Sequence, residues 1–332
     1  AKKPIPRRQL LAPEKLSAEG RPSEVAIILG WEMDTRRLLL SLPEDKYKAW
    51  TSDLKETIRL GGDSVKGLES LIGRLNHASY LIPLSRHFLN ELRRRADPSK
   101  RRSKEKIRLS RSEIEDLKLW VEFLQVARSG ISLNLLTVRN PSALAWSDSC
   151  PYGLGGYTLR GRAWRLLIPE DSPIYGLDPT NNILEFLGMA VSILLMIEET
   201  RGEAQPCLMA LGDNTSAIGS IFKTGRLKRT SIYYQAAKEI ARHLAREAMK
   251  AGVQICAQHL QGEKNDIADA LTYEGDVRGA ANELTFDRPS DDVLTRRIHE
   301  SVPQLIPANF RVSPLPPEID SFVSRTPTAR TC

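Results

Sequence analysis

The stretch that most limits how this chain can fold runs from Ala143 to Arg160, ALAWSDSCPYGLGGYTLR. Five residues of strand character, Ala143 to Ser147, lead into a single carboxylate, Asp148. Pro151, Gly153, Gly155 and Gly156 follow, and then two more extended runs, Tyr157 to Arg160 and Ala163 to Ile168. This predicts an antiparallel meander with an acid on its first strand and glycines packed beside it. Glycine there lets another backbone approach closely, which an acid binding metal and phosphate would use.

Beyond the meander the pattern alternates. Helices are expected from Asn182 to Glu199, Thr215 to Phe222, Ser231 to Lys250 and Asn265 to Thr272, with strands over Cys207–Leu211 and Val253–Ala257. Three meander strands and then two strands, each preceded by a helix, give an α/β fold: a mixed five-stranded sheet flanked by helices. Asp148 and Asp213 stand at the C-terminal ends of their predicted strands, where such sheets carry function. Glu185 sits in ILEFLGMAV, where every neighbour is uncharged. A lone carboxylate facing a core costs several kcal/mol unless it is paired or holds a cation. Asp269, within NDIADAL, is the fourth candidate. Four converging acids would raise one another's pKa. Divalent cations resolve that, and oxygen-only ligands select Mg²⁺ or Mn²⁺. Two such ions roughly 4 Å apart would clamp an in-line phosphoryl displacement.

The N-terminal half reads differently. Residues 1–23 form a connector with scattered prolines and basic residues. Over 24–95 the expected order is a strand from Glu24 to Trp31, a turn over Met33–Arg36, a returning strand from Arg37 to Leu42, and a helix from Glu44 to Leu60 closed by Gly61-Gly62. Ser64 can cap a next element whose apolar face is Val65, Leu68, Leu71, Ile72, Leu75 and Tyr80, and Pro83 precedes a last helix from Leu84 to Arg95. Residues 96–140 form a basic linker and bridging helix, opened by the capping-box pattern Ser110–Glu113 and ended by Gly130. After 276 the composition turns polar, and six prolines over 303–332 predict an extended, partly disordered tail spanning 277–332.

Charge sharpens this division. The chain of 332 residues carries a net charge of +7. Arg93 to Arg108 alone holds nine Lys or Arg against two acids, 9 − 2 = +7, so the rest is neutral on balance. An acidic polymer is the partner this implies. Cysteines 150, 207, 256 and 332 make no metal-ligand pair and read as reduced thiols of an intracellular protein, with nucleus and cytoplasm undistinguished. The most apolar run, Phe186 to Ile197, is twelve residues against the roughly 20 of a membrane span, so no membrane partner is expected. His77, His87, His243 and His299 lack ligand spacing and read as ordinary, and Trp31, Trp50, Trp120 and Trp164 as core residues.

Residues 141–276 resemble a ribonuclease H domain of a retroelement polyprotein. The resemblance is carried by Trp146-Ser-Asp148, Leu184-Glu185, Gly212-Asp-Asn214, and His259 followed by Gly262 and Asn265-Asp-Ile-Ala-Asp-Ala-Leu271. It implies Asp148, Glu185, Asp213 and Asp269 (chosen over Asp266) as ligands of two Mg²⁺ ions, and His259 as a loop histidine serving proton transfer or product release. It also implies duplex contact by Asn214, by the turn residues Lys223, Arg226, Lys228 and Arg229, and by Arg101, Arg102 and Lys104 of the basic run. Thr272-Tyr273 departs from the Ser-Arg that usually continues the motif.

Residues 24–95 resemble the segment that follows the palm of a reverse transcriptase, a thumb or connection region, through Leu29-Gly-Trp31, Leu42-Pro-Glu-Asp-Lys46 and Leu71-Ile-Gly-Arg-Leu75. DIRS-type elements are the most similar, including the ending Ser313 to Ser321. No Tyr-x-Asp-Asp hairpin occurs, so no polymerase site is expected; Asp291-Asp292 lies in a polar stretch. The expected function is hydrolysis of the RNA strand of an RNA–DNA hybrid, with an upstream polymerase segment as a further partner. The alternative is a nucleic-acid-binding remnant without turnover. An integrase-like nuclease on the same fold fits less well, because Asp269 lies within Asn-x-x-Ala-Asp where that class has a lone helical Glu.

Overall fold

The computed structural model describes residues 23–82, 84–97, 105–137, 139–160, 162–167, 181–222, 234–272 and 311–312. The first sheet has the order β1-β2-β3-β6. Its opening strands are β1 (Val25–Ile28), β2 (Trp31–Asp34) and β3 (Leu39–Ser41). The sequence predicted two strands here. The difference is a two-residue turn at Leu29-Gly30, where both residues have positive φ, 50° and 83°. Such φ values are what a tight hairpin needs and what Leu disfavours, so the turn hides inside an apolar run.

Helix α1 (Glu44–Leu60) has its expected bounds: Pro43 precedes it and Gly61 ends it in the left-handed region. β4 (Gly62–Ser64) follows, and then α2 (Val65–Ala78), capped by Ser64 Oγ accepting from the Gly67 N–H at 3.1 Å. Tyr80, expected on the apolar face of this element, stands beyond its end and is 65% exposed. The last helix expected here divides into a 3₁₀ turn (Arg86–Leu89) and α3 (Asn90–Arg95). β5 (Lys106–Arg108) pairs antiparallel with β4, so the end of the basic run is stitched to the N-terminal half. Helix α4 (Arg111–Ser129) opens with the predicted capping box. β6 (Ile131–Ser132) then joins β3 as the fourth strand.

The second sheet carries the chemistry. β7 (Ala143–Cys150), β8 (Gly153–Thr158) and β9 (Arg162–Leu167) form the antiparallel meander. β10 (Cys207–Gly212) lies parallel to β7, and β11 (Gln254–His259) parallel to β10. The order is β11-β10-β7-β8-β9-β12, in which β12 (Arg311–Val312) adds parallel to β9. The mixed five-stranded α/β sheet of a ribonuclease H-like fold is therefore present. It has a two-residue sixth strand from the stretch expected to be an extended tail.

Two boundaries move, and both matter for the site. Asp148 lies on β7 as expected, paired with Gly155, but the strand runs two residues past it to Cys150. Gly153, Gly155 and Gly156 lie inside β8 instead of in the connecting turn. Packing explains two of the glycines: a Cβ on Gly156 would sit 2.6 Å from the Trp146 carbonyl oxygen, and one on Gly155 would run into the Leu271 Cβ, 2.8 Å from the Leu271 carbonyl carbon. Leu271 belongs to α8 (Asp266–Thr272), which lies across β7 and β8.

Helices α5 (Asn181–Glu199), α6 (Thr215–Phe222) and α7 (Tyr234–Ala251) complete this half. α5 is buried along almost its whole length, against β7 and α7. One continuous apolar core joins both halves, from Leu54 and Leu75 through Trp120 and Phe123 to Trp164, Leu184 and Ile240. The seam between α4 and α7 also has a polar layer. Lys238 donates to Asp116 Oδ2 at 2.7 Å and to Ser112 Oγ at 2.8 Å, and Arg242 Nε donates to Asp116 Oδ1 at 2.8 Å. Nearer solvent, Arg246 forks onto Glu122 at 2.9–3.2 Å. Cys207 and Cys256, unrelated by spacing, come together on neighbouring strands with sulfurs 3.9 Å apart and unbonded. Among the described residues no helix is long and apolar enough to cross a membrane.

Candidate metal centre

Three of the four predicted acids converge. Asp148 comes from β7, Glu185 from the first turns of α5, and Asp213 from the residue after β10. Each offers a carboxylate oxygen, and these oxygens lie within 4.8 Å of one another. Asp148 and Glu185 are buried, and Asp213 is the one most open to solvent. The Ser149 N–H donates to Asp148 Oδ1 at 2.9 Å. Glu185 Oε2 is buried with no hydrogen-bond partner among the described residues.

The electrostatics follow from that crowding. Burial, then the charges of Asp148 and Asp213, push the Glu185 carboxyl up to about 9. Asp148 is raised to about 6, first by burial and then by Asp213, with Asp269 adding in the same direction. Among the described residues no Lys or Arg offsets either acid. Like charges gathered in a poorly solvated pocket are unfavourable unless a cation joins them. The donor set is all carboxylate oxygen, with one buried acceptor left over, and it fits a hard divalent ion.

Asp269 stands outside the three-acid group. It is half-buried on α8, with its N–H donated to the Asn265 carbonyl at 3.0 Å, and acts on Asp148 through its charge. The residue that seats α8 was not singled out for that job from sequence. Asn265 is buried, and its Nδ2 donates to the Ser147 carbonyl at 3.1 Å, one residue before Asp148. The available signal was its fixed place four residues before Asp269.

His259 is exposed at the end of β11, opposite Gly212 in register, and belongs to a strand end instead of the expected loop. Gly262 lies beside the site: a Cβ there would come 3.4 Å from Asp213 Oδ2. Asn214 has a structural task. Its Oδ1 accepts from the Ser216 and Ala217 N–H groups at 2.9 and 3.0 Å, capping α6, and its Nδ2 donates to Asn182 Oδ1 at 3.0 Å. Arg101, Arg102, Lys104, Lys223, Arg226, Lys228 and Arg229 lie outside the described residues.

No protein-family model and no curated protein matches this chain. Solved structures similar to it include a foamy viral protease–reverse transcriptase in complex with RNA/DNA hybrid, at 11% identity and a TM-score of 0.26, covering 80% of this chain and 31% of that one. A foamy viral protease–reverse transcriptase with double-stranded DNA matches at 12% identity and a TM-score of 0.26, covering 70% and 44%. The chain thus spans less than half the length of either structure. The fold assignment itself rests on strand order and register: a three-stranded meander, two parallel strands added at its first edge, and an acid on each of β7, α5 and the end of β10.

Proposed function

We propose that this chain is a metal-dependent endonuclease that hydrolyses the RNA strand of RNA–DNA hybrids. The observation that carries the reading is the convergence of Asp148, Glu185 and Asp213, buried or half-buried, with no Lys or Arg of the described residues among them. Asp148, Glu185, Asp213 and, from α8, Asp269 would hold two Mg²⁺ ions, with Mn²⁺ as a substitute. Bound there, the metal supplies Lewis acidity towards a phosphodiester and lowers the pKa of an attacking water.

The chain's own residues do the rest. The buried walls formed by β7 and α5 keep bulk water from the inner carboxylates, which strengthens their hold on a cation. His259, exposed beside the Asp213 strand end, carries a proton at the rim as water displaces the 3′ oxygen. The products are a 3′-hydroxyl and a 5′-phosphate. The RNA 2′-hydroxyl is the group that separates this substrate from DNA. Lys223, Arg226, Lys228 and Arg229, with Arg101, Arg102 and Lys104, serve the phosphate backbone.

In this reading residues 24–95 are a thumb or connection region, 96–140 the bridge and 141–276 the ribonuclease H unit. They belong to a reverse transcriptase of a retroelement, of DIRS type, acting inside the cell beside an upstream polymerase segment. The test is cleavage of a labelled RNA–DNA hybrid with Mg²⁺ or Mn²⁺, beside Asp148→Asn and a double-stranded DNA control. Metal-dependent cutting of the RNA strand alone, abolished by the substitution, is the expected result. Folded, metal-replete protein that leaves the hybrid intact overturns the proposal.

A further inference from the structure

The second sheet brings together two thiols that the metal centre does not use. Cys207 opens β10 and Cys256 stands in the middle of β11, with their sulfurs 3.9 Å apart. The strands run parallel, with Cys207 opposite Gln254 and Cys256 opposite Met209, so the two side chains share a face and meet diagonally. Cys207 is buried, whereas Cys256 is half-buried on β11, which ends the strand order. Hydrogen bonding gives the pair a direction. The Cys207 thiol donates to the Arg139 carbonyl at 3.9 Å, and a carbonyl only accepts, so the Cys256 thiol points its proton at the Cys207 sulfur. Burial, then Cys256, pushes the Cys207 thiol up to about 11. Cys256 is therefore the thiol that an outside reagent meets first, with Cys207 behind it.

We infer that Cys207 and Cys256 form a reversible disulfide, a modification site whose closure slides β11 along β10 and withdraws His259 from the metal centre. The oxidant is a low-molecular-weight disulfide. The Cys256 thiolate attacks one of its sulfurs and expels a small thiolate, leaving a mixed disulfide on Cys256. Cys207 then gives up its proton to that thiolate and attacks the Cys256 sulfur. The second small thiolate leaves and takes up the proton that Cys256 released. Two protein thiols and one small disulfide thus become one protein disulfide and two small thiols.

The slide follows from the register. Diagonal neighbours stand about 8 Å apart at Cα, given a strand spacing of about 4.8 Å and a rise of about 3.3 Å per residue. A disulfide spans roughly 4.4–6.8 Å, so closure needs β11 to move back by about 2 Å towards the start of β10. That motion carries His259 away from Gly212, its partner in register, and from Asp213 just beyond. A bond held against the strand ladder is strained, and strained disulfides are the readily reduced ones. The effect on catalysis rests on the nuclease reading, while the bond itself does not.

The experiment uses the full chain, reduced or treated with oxidised glutathione, with Cys207→Ser, Cys256→Ser and His259→Ala beside the parent. Remaining thiols are blocked in denaturant and the unreduced peptides mapped by mass spectrometry. The parent should show the 207–256 bond, and a monothiol should reopen it. Cys207→Ser should stop at a mixed disulfide on Cys256, whereas Cys256→Ser should gain nothing at Cys207. On oxidation the parent's kcat for a labelled hybrid should fall about tenfold, part of the ~10²–10⁴ that general acid–base catalysis contributes, and return with reductant. Cys256→Ser should match the reduced parent under both treatments, and His259→Ala should start lower and lose the response.

Free thiols at both positions after oxidation of the parent overturn the site. A 207–256 bond with unchanged kcat, or an equal fall in His259→Ala, overturns the coupling to His259. A parent that forms and reopens the bond yet never cuts hybrid sinks the nuclease reading and leaves the disulfide standing.

Discussion

This molecule buries two clusters of carboxylates and treats them in opposite ways. At the seam between α4 and α7, Asp116 is 1% exposed and shared between Lys238 and Arg242, with Ser112 completing the network. Where β7, α5 and the end of β10 meet, Asp148, Glu185 and Asp213 gather with no basic partner among the described residues. Burial raises the Asp116 pKa, but Lys238 and Arg242 pull it back, whereas at the other cluster the neighbouring acids push in the same direction as burial. The first cluster is complete within the chain and holds two halves together. The second has no such partner among the described residues, and its all-carboxylate donor set fits a divalent cation. Carboxylate burial alone therefore says little, and the sign of what surrounds it separates a joint from a site.

That contrast can be broken from either side. The largest expected effect comes from Asp116→Ala, which takes the shared acid from Arg242 and leaves buried Lys238 only the longer Glu91 contact at 3.5 Å. Removing one partner of such a pair costs about 3–5 kcal/mol. Urea denaturation should show that loss as a fall in midpoint, whether or not divalent metal is present. Replacing the acid at the other cluster has the reverse sign. Glu185→Gln should stabilise metal-free protein at pH 8 by about 1–3 kcal/mol, because the fold keeps this carboxyl protonated where the unfolded chain releases the proton, and an amide removes that cost. The same variant should lose most of the rise in Tm that Mg²⁺ gives the parent. A destabilised Glu185→Gln at pH 8 in EDTA would refute the assignment of an uncompensated site.

The pH dependence follows with its sign. Asp148 and Glu185 hold protons in the fold that the unfolded chain gives up in the ordinary carboxylate range. Their contribution to stability is full below about 4. It is lost as pH rises through about 6 for Asp148 and about 9 for Glu185. Melts in EDTA from pH 5 to 9 should show a decline that Asp148→Asn and Glu185→Gln flatten and that Mg²⁺ reverses. The smallest effect belongs to Arg246→Ala at the solvent edge of the seam. Arg246 and Glu122 are about a third exposed or more, and the loss should stay near 1 kcal/mol or below. A loss as large as that of Asp116→Ala would mean the seam is a single network.

The two clusters also differed in how visible they were in the sequence. Glu185 was legible because it is the one acid in the otherwise uncharged run Ile183 to Ile197, a pattern with few innocent explanations. The capping box at Ser110 and the ends of α1 were equally plain, since local chemistry decides both. Asp116 and Lys238 were not singled out, because each sits among other charges on an amphipathic helix and reads as a solvated face. Only the packing of α4 on α7 buries them. The Leu29-Gly30 turn was missed because its first residue is apolar, and the need for Gly155 on β8 because nothing local to it requires glycine. What requires it is a helix more than a hundred residues later.

That last requirement has a consequence for how such a chain ages. The backbone of Leu271 lies where any side chain at Gly155 would have to go, and Asp269 is two residues upstream on the same short helix. A substitution as slight as Gly155→Ala would lift α8 from the sheet and carry the fourth acid away from the other three. The acid cluster's geometry could thus be lost with every carboxylate still in the sequence, since it depends as much on an unfilled position on β8 as on the acids themselves.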